Sequence, residues 1–161
     1  MLQAVSLTCR RGQRRVFSEL SLRLEAGQCC LVSGPNGSGK TSLLRILANI
    51  AQADEGQLIW RDRPVQSNDS DYRRQLVYGG HAPGLNGSLS VQENLDSLLM
   101  QDRVPLEREA CDQALLAGGL LAYRRVPVRQ LSAGQRRRVF LVRLSLSNRP
   151  LWILDEQLTA H

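Results

Sequence analysis

Residues 34–41 read Gly34-Pro35-Asn36-Gly37-Ser38-Gly39-Lys40-Thr41, and no other stretch constrains the chain as strongly. The pattern G-x-x-x-x-G-K-[ST] is that of a phosphate-binding loop. Its flanks agree. Cys29–Val32 is a short, continuously apolar run that reads as a strand covered on both faces. Thr41–Ile50 reads as a helix, with Leu43, Leu44, Ile46 and Leu47 on a broad apolar face. Glycines let such a loop curl until successive N–H groups point at phosphate oxygens. The helix opening near Gly39 adds the positive end of its dipole. Lys40 then reaches the β- and γ-phosphates, and the Thr41 hydroxyl serves Mg2+. Lys40 is also the only lysine among 21 basic residues, the rest being arginine. A compact ammonium on a flexible stem, and not a planar fork, suits this position.

The 161 residues are one domain's worth of sequence. With 42% hydrophobic and 22% charged residues, disorder, collagen and coiled coil are excluded as descriptions of the whole. No run approaches the ~18 apolar residues of a membrane span. The start, Met1-Leu2-Gln3-Ala4-Val5, lacks a basic region followed by an apolar run, so no signal peptide is expected and the chain is placed in the cytoplasm. The net charge of +6 reflects either a coding preference for arginine or contact with an anionic surface such as lipid or nucleic acid. Cys9, Cys29, Cys30 and Cys111 show no C-x-x-C spacing and no histidine partners, which argues against zinc. All four are expected to be small buried hydrophobes in a reducing compartment.

Leu2–Leu7 and Leu20–Leu24 read as two strands of an antiparallel meander joined by an arginine-rich segment. Gln57–Trp60 and Gln75–Tyr78 are further strands. Ser90 with Glu93 fits a capping box that opens a helix carrying Val91, Leu95, Leu98 and Leu99. Leu106–Ala117 is a second amphipathic helix, so residues of about 90–125 form a helical insert. Ser132–Leu146 is a third helix and Pro150–Leu154 a last apolar strand.

That last strand runs Leu151-Trp152-Ile153-Leu154 and ends in Asp155-Glu156. A buried strand delivers Asp155 to the carboxyl edge of the sheet, where ligands bind in open α/β folds. There Asp155 can hold Mg2+, and Glu156 can orient or deprotonate an attacking water. Leu131-Ser132-Ala133-Gly134-Gln135 reads first as a capped helix start. A helix N-terminus carrying a serine hydroxyl and a glycine is equally an anion site.

A phosphate-binding loop, an LSAGQ segment and an apolar strand ending in Asp-Glu, in that order, resemble the ATP-binding cassette family. Gly80-His81-Ala82-Pro83-Gly84 and Val126–Gln135 are similar to the branch of that family linked to haem export in c-type cytochrome biogenesis. The resemblance implies an α/β P-loop fold: a mostly parallel core sheet, an antiparallel β subdomain at the N-terminus, and a helical insert, all in one cassette domain over residues 1–161. It implies ATP and Mg2+ as ligands and a head-to-tail homodimer. In that dimer Ser132 and Gly134 of one copy close on the nucleotide of the other. It also implies an integral membrane transporter subunit as partner, no nucleic acid, and a peripheral place on the cytoplasmic face of the bacterial inner membrane. A nucleic-acid role is set aside because Arg136-Arg137-Arg138 lies on the signature helix itself.

Three departures from the family pattern are visible. Arg11 stands where most cassettes carry an aromatic residue against adenine, and its guanidinium plane can stack in the same way. His81 stands where most have glutamine, and a neutral imidazole can position water or contact Mg2+. After Glu156 the chain reads Gln157-Leu158-Thr159-Ala160-His161, without the family's following strands. Cys29–Ser33 and Leu151–Leu154 are therefore expected in one parallel sheet but not adjacent. The alternative function is a short cassette that hydrolyses nothing.

Overall fold

A computed structural model of the chain describes residues 1–80, 84–101 and 107–155. These fall into two compact units, residues 1–78 with 151–155, and residues 79–150.

The first unit begins with a long hairpin, β1 (Leu2–Arg11) against β2 (Arg14–Leu24). Both strands outrun the apolar runs that announce them and absorb the arginine-rich segment, leaving only Gly12-Gln13 as the turn. Leu2 and Ala4 are buried on one face of β1. A bulge at Val5–Ser6, where Ser6 has φ 49°, then shifts the phase so that Leu7 and Cys9 are buried. The Ser6 N–H displaced by the bulge donates to Ser21 Oγ at 2.9 Å. The other edge of β1 takes β3 (Glu55–Trp60), and β4 (Arg63–Pro64) follows, giving a four-stranded antiparallel sheet in the order β2-β1-β3-β4.

Helix α1 (Lys40–Leu47) buries Leu43, Ile46 and Leu47, positions that share one face at 3.6 residues per turn. It shares a core with Leu2, Leu7 and Leu58 of the sheet and with Leu151 and Ile153. A short helix, α2 (Ser70–Arg73), is capped by the Asp69 side chain. Its buried Tyr72 donates a hydroxyl hydrogen bond to Leu47 O at 2.6 Å and meets Trp60 edge-on. The strands β5 (Leu76–Gly79) and β6 (Leu151–Leu154) pair as a two-stranded sheet, with Leu151 N–H donating to Gln75 O at 3.3 Å.

The expected strand at Cys29–Val32 is not formed. Among the described residues β5 and β6 pair only with each other, so this apolar run has no neighbouring ladder to complete. Cys29 and Cys30 are consequently exposed, against expectation, and Leu31 is 84% exposed. The expectation that Cys29–Ser33 shares a sheet with Leu151–Leu154 fails for the same reason. Cys9 and Cys111 are buried as expected.

The second unit is helical. Its elements are α3 (Val91–Gln101), α4 (Arg108–Ala117) and α5 (Ala133–Leu146). The first two lie within the segment expected as an insert. Val91, Leu95, Cys111, Leu115, Val139 and Val142 make their common core. Ser90 and Glu93 form the expected box: Ser90 N–H donates to Glu93 Oε2 at 2.7 Å, and Glu93 N–H donates to Ser90 Oγ at 3.2 Å. The Ser90 hydroxyl also donates to Glu93 Oε2 at 2.7 Å, and this bond together with the Ser90 N–H favours the charged form, holding the Glu93 carboxyl below its usual range. Buried Asn94 ties the preceding loop down through Asn86, Leu89 and Ser90 carbonyls.

Candidate nucleotide site

The loop Gly34–Thr41 lies in the first unit, between the unpaired run Cys29–Val32 and the first turn of α1. Gly34, Gly37 and Gly39 take φ of 149°, 81° and 99°, values that side chains resist. Gly39 is bound by space as well: a Cβ there would lie 2.3 Å from Val16 Cγ1 of β2. The loop is therefore packed closely against the hairpin at Val16. Helix α1 has Gly39 as its N-cap, no side-chain cap and no acidic residue in its first turn. Its positive end is thus left for a ligand.

Lys40 Nζ donates to Gly34 O at 2.6 Å and to Pro35 O at 3.2 Å, so the ammonium arches over the loop it belongs to. Thr41 is exposed on the first turn of α1, and Ser42 behind it is buried. Arg11 comes from the end of β1 and donates from Nη2 to Ser42 Oγ at 2.8 Å. The structure thus brings Arg11 to the loop expected to hold the nucleotide. Ser42 is a contact the sequence reading missed, although a hydroxyl directly after the Lys-Thr pair was a signal for it.

Asp155 follows β6 in the same unit and is 5% exposed. Its carboxylate supplies hard oxygen donors, the class that Mg2+ accepts. The exposed Thr41 hydroxyl on α1 is a second oxygen donor of the same hard class. Tyr78 of β5 senses this charge. Burial raises its phenol pKa, Asp155 raises it further, and Arg45 opposes the shift.

Ser132 and Gly134 lie in the second unit, at the start of α5. Ser132 Oγ accepts from Gln135 N–H at 3.2 Å, and Gln135 Oε1 accepts from Ser132 N–H at 2.8 Å. Ser132, Ala133 and Gly134 are all exposed. A Cβ on Gly134 would meet nothing within 4 Å. Its own fold does not demand a glycine there. His81 and Glu156 lie outside the described residues.

A family model described as ABC transporter matches residues 17–159. The cytochrome c biogenesis ATP-binding export protein CcmA of Yersinia pestis bv. Antiqua (strain Nepal516) is 50% identical over 161 residues, covering 99% of this chain and 73% of that protein. The protein of the same name from Pseudomonas fluorescens (strain Pf0-1) is 48% identical over 160 residues, covering 99% and 75%. The chain thus spans about three quarters of the length of these relatives. Among solved structures, a putative ABC transporter ATP-binding protein from Pyrococcus furiosus superposes with a TM-score of 0.87 at 23% identity, covering 99% of this chain and 76% of that one. A dimeric ATP-binding cassette bound to ADP and Pi gives 0.78 at 22% identity, covering 98% and 79%. Loop, lysine, capped signature helix and acidic strand end agree with a match over nearly the whole sequence: the chain belongs to the ABC transporter family.

Proposed function

We propose that the chain is the ATP-binding subunit of an ABC transporter, and that its ATP hydrolysis powers export linked to haem delivery in c-type cytochrome biogenesis. The observation that carries this reading is the loop Gly34–Thr41, arched by Lys40 at an uncapped, acid-free helix start. The relatives named for cytochrome c biogenesis support the pathway.

In this reading the N–H groups of Gly34–Thr41, with Pro35, Asn36 and Ser38 shaping the curl, hold the β- and γ-phosphates, and Lys40 neutralises them. Arg11 flanks the nucleotide with its guanidinium. Thr41 and Asp155 hold Mg2+, which when bound polarises the phosphoryl oxygens. Glu156 takes a proton from water as the water oxygen bonds to the γ-phosphorus. The bond to the bridging oxygen breaks, leaving ADP and phosphate. His81 orients that water. Ser132 and Gly134 of a second copy close on the γ-phosphate, which accounts for a glycine that its own fold does not require. The pair of cassettes docks on an integral membrane subunit and so sits peripherally on the cytoplasmic face of the inner membrane. No described helix is long and apolar enough to cross a membrane itself.

The test is ATP turnover against protein concentration, with Glu156→Gln as control. Specific activity should climb with concentration in the unaltered chain and vanish in the variant. An active Glu156→Gln, or specific activity independent of concentration, would count against the reading. Nucleotide binding without turnover would favour a cassette that binds and does not hydrolyse.

A further inference from the structure

The tip of the β1–β2 hairpin carries four arginines, and the register sets them directly opposite each other: Arg10 faces Arg15, and Arg11 faces Arg14. Like charges across a strand pair are destabilising. The opposition of Arg11 and Arg14 does not itself stabilise the hairpin, so a gain in binding is the place to look. Residues directly opposite share a face of the sheet, and neighbours along a strand take opposite faces. Arg10 and Arg15 therefore share one face, where Arg10 pairs with Glu55 at 2.8 Å and the Asp54 carboxylate accepts from the Arg10 backbone N–H. Arg11 and Arg14 share the other face, and there Arg11 reaches Ser42 in the first turn of α1 at 2.8 Å. Arg14 is exposed, and no described carboxylate pairs with it. Two guanidiniums thus stand on the face that looks toward the start of α1, with no carboxylate among the described residues paired to either.

We infer that Arg14 is a further nucleotide-binding residue, forming with Arg11 a guanidinium pair that holds the nucleotide by its charge on the hairpin side of the loop. The inference rests on the nucleotide-site reading above. A guanidinium plane accepts any base face, and two cations answer to total phosphate charge. Recognition at this end is therefore electrostatic, and it is poor at telling one base from another.

Arg15 supplies the control, with the same charge and exposure on the opposite face. The experiment is displacement of a fluorescent ATP analogue by ATP with Mg2+, at low and raised salt, on the full chain. Arg14→Gln should weaken ATP binding about 3-fold at low salt, the scale of a partly screened surface ion pair. The difference should shrink as salt rises. Arg14→Lys should retain most of the affinity, and Arg15→Gln should match the unaltered chain. Removing Arg14 relieves a like-charge pair, so the melting temperature should not fall. Arg14→Gln binding as tightly as the unaltered chain, or Arg15→Gln losing as much, would overturn the inference, as would a binding loss matched by a drop in melting temperature. Lys40→Ala separates the two levels of the argument. If it leaves binding intact, the nucleotide-site reading itself fails. If it abolishes binding while Arg14→Gln does nothing, only the inference fails.

Discussion

Lys40 closes a ring of hydrogen bonds onto Gly34 and Pro35, and a phosphate entering the loop must take that ammonium over. Its loss removes charge-assisted bonds whose worth corresponds to a factor of about 10 to 100 in affinity. Lys40→Ala is expected to lose ATP binding by at least that factor in equilibrium titration. Lys40→Arg should fail nearly as badly, because a rigid fork does not fill the place of an ammonium. At this scale the sequence was highly legible, since loop glycines and a lone lysine announce themselves by spacing. The attachment of Arg11 to Ser42 was not legible. Arg14 was not legible at all, because which face of a hairpin a residue takes depends on a register that includes bulges.

The start of α5 separates structure from function within three residues. Ser132 serves a reciprocal cap, so Ser132→Ala should cost about 1 kcal/mol of stability, read from denaturant unfolding. Gly134→Ala should leave stability unchanged or slightly raise it, since alanine is the better helix former and the added methyl meets nothing within 4 Å. The same variant should nonetheless depress ATP turnover sharply, because in the proposed dimer this position closes on the nucleotide of a second copy. Turnover equal to the unaltered chain would remove Gly134 from the site. Both capping boxes and every long helix could be read from periodicity and caps, which are local properties. Cys29–Val32 could not. A strand exists only when its backbone finds a ladder, and apolar composition says nothing about whether the neighbour is there. The long hairpin was under-read for a related reason: polar, arginine-rich residues extend a strand once its partner is already paired.

At the scale of the whole molecule, the apolar run before the loop and the strand β6 leave large apolar side chains exposed among the described residues. Leu31 is 84% exposed, Trp152 49% and Leu154 40%. Such surface favours association between chains. Joining the C-terminal quarter of the Yersinia relative to this chain should raise the melting temperature and reduce light scattering. It should also protect Cys29 and Cys30, both now exposed, from a thiol reagent. Unchanged thiol reactivity in the fusion would show that the run stays outside any sheet.

Arginine everywhere but at one position has a practical corollary. These 161 residues carry one lysine side-chain amine, the Nζ of Lys40, inside the proposed binding loop. A lysine-directed tag on these residues therefore reports from a single address. Its rate of attachment becomes an occupancy meter for the loop, needing no engineered cysteine and no radioactive nucleotide.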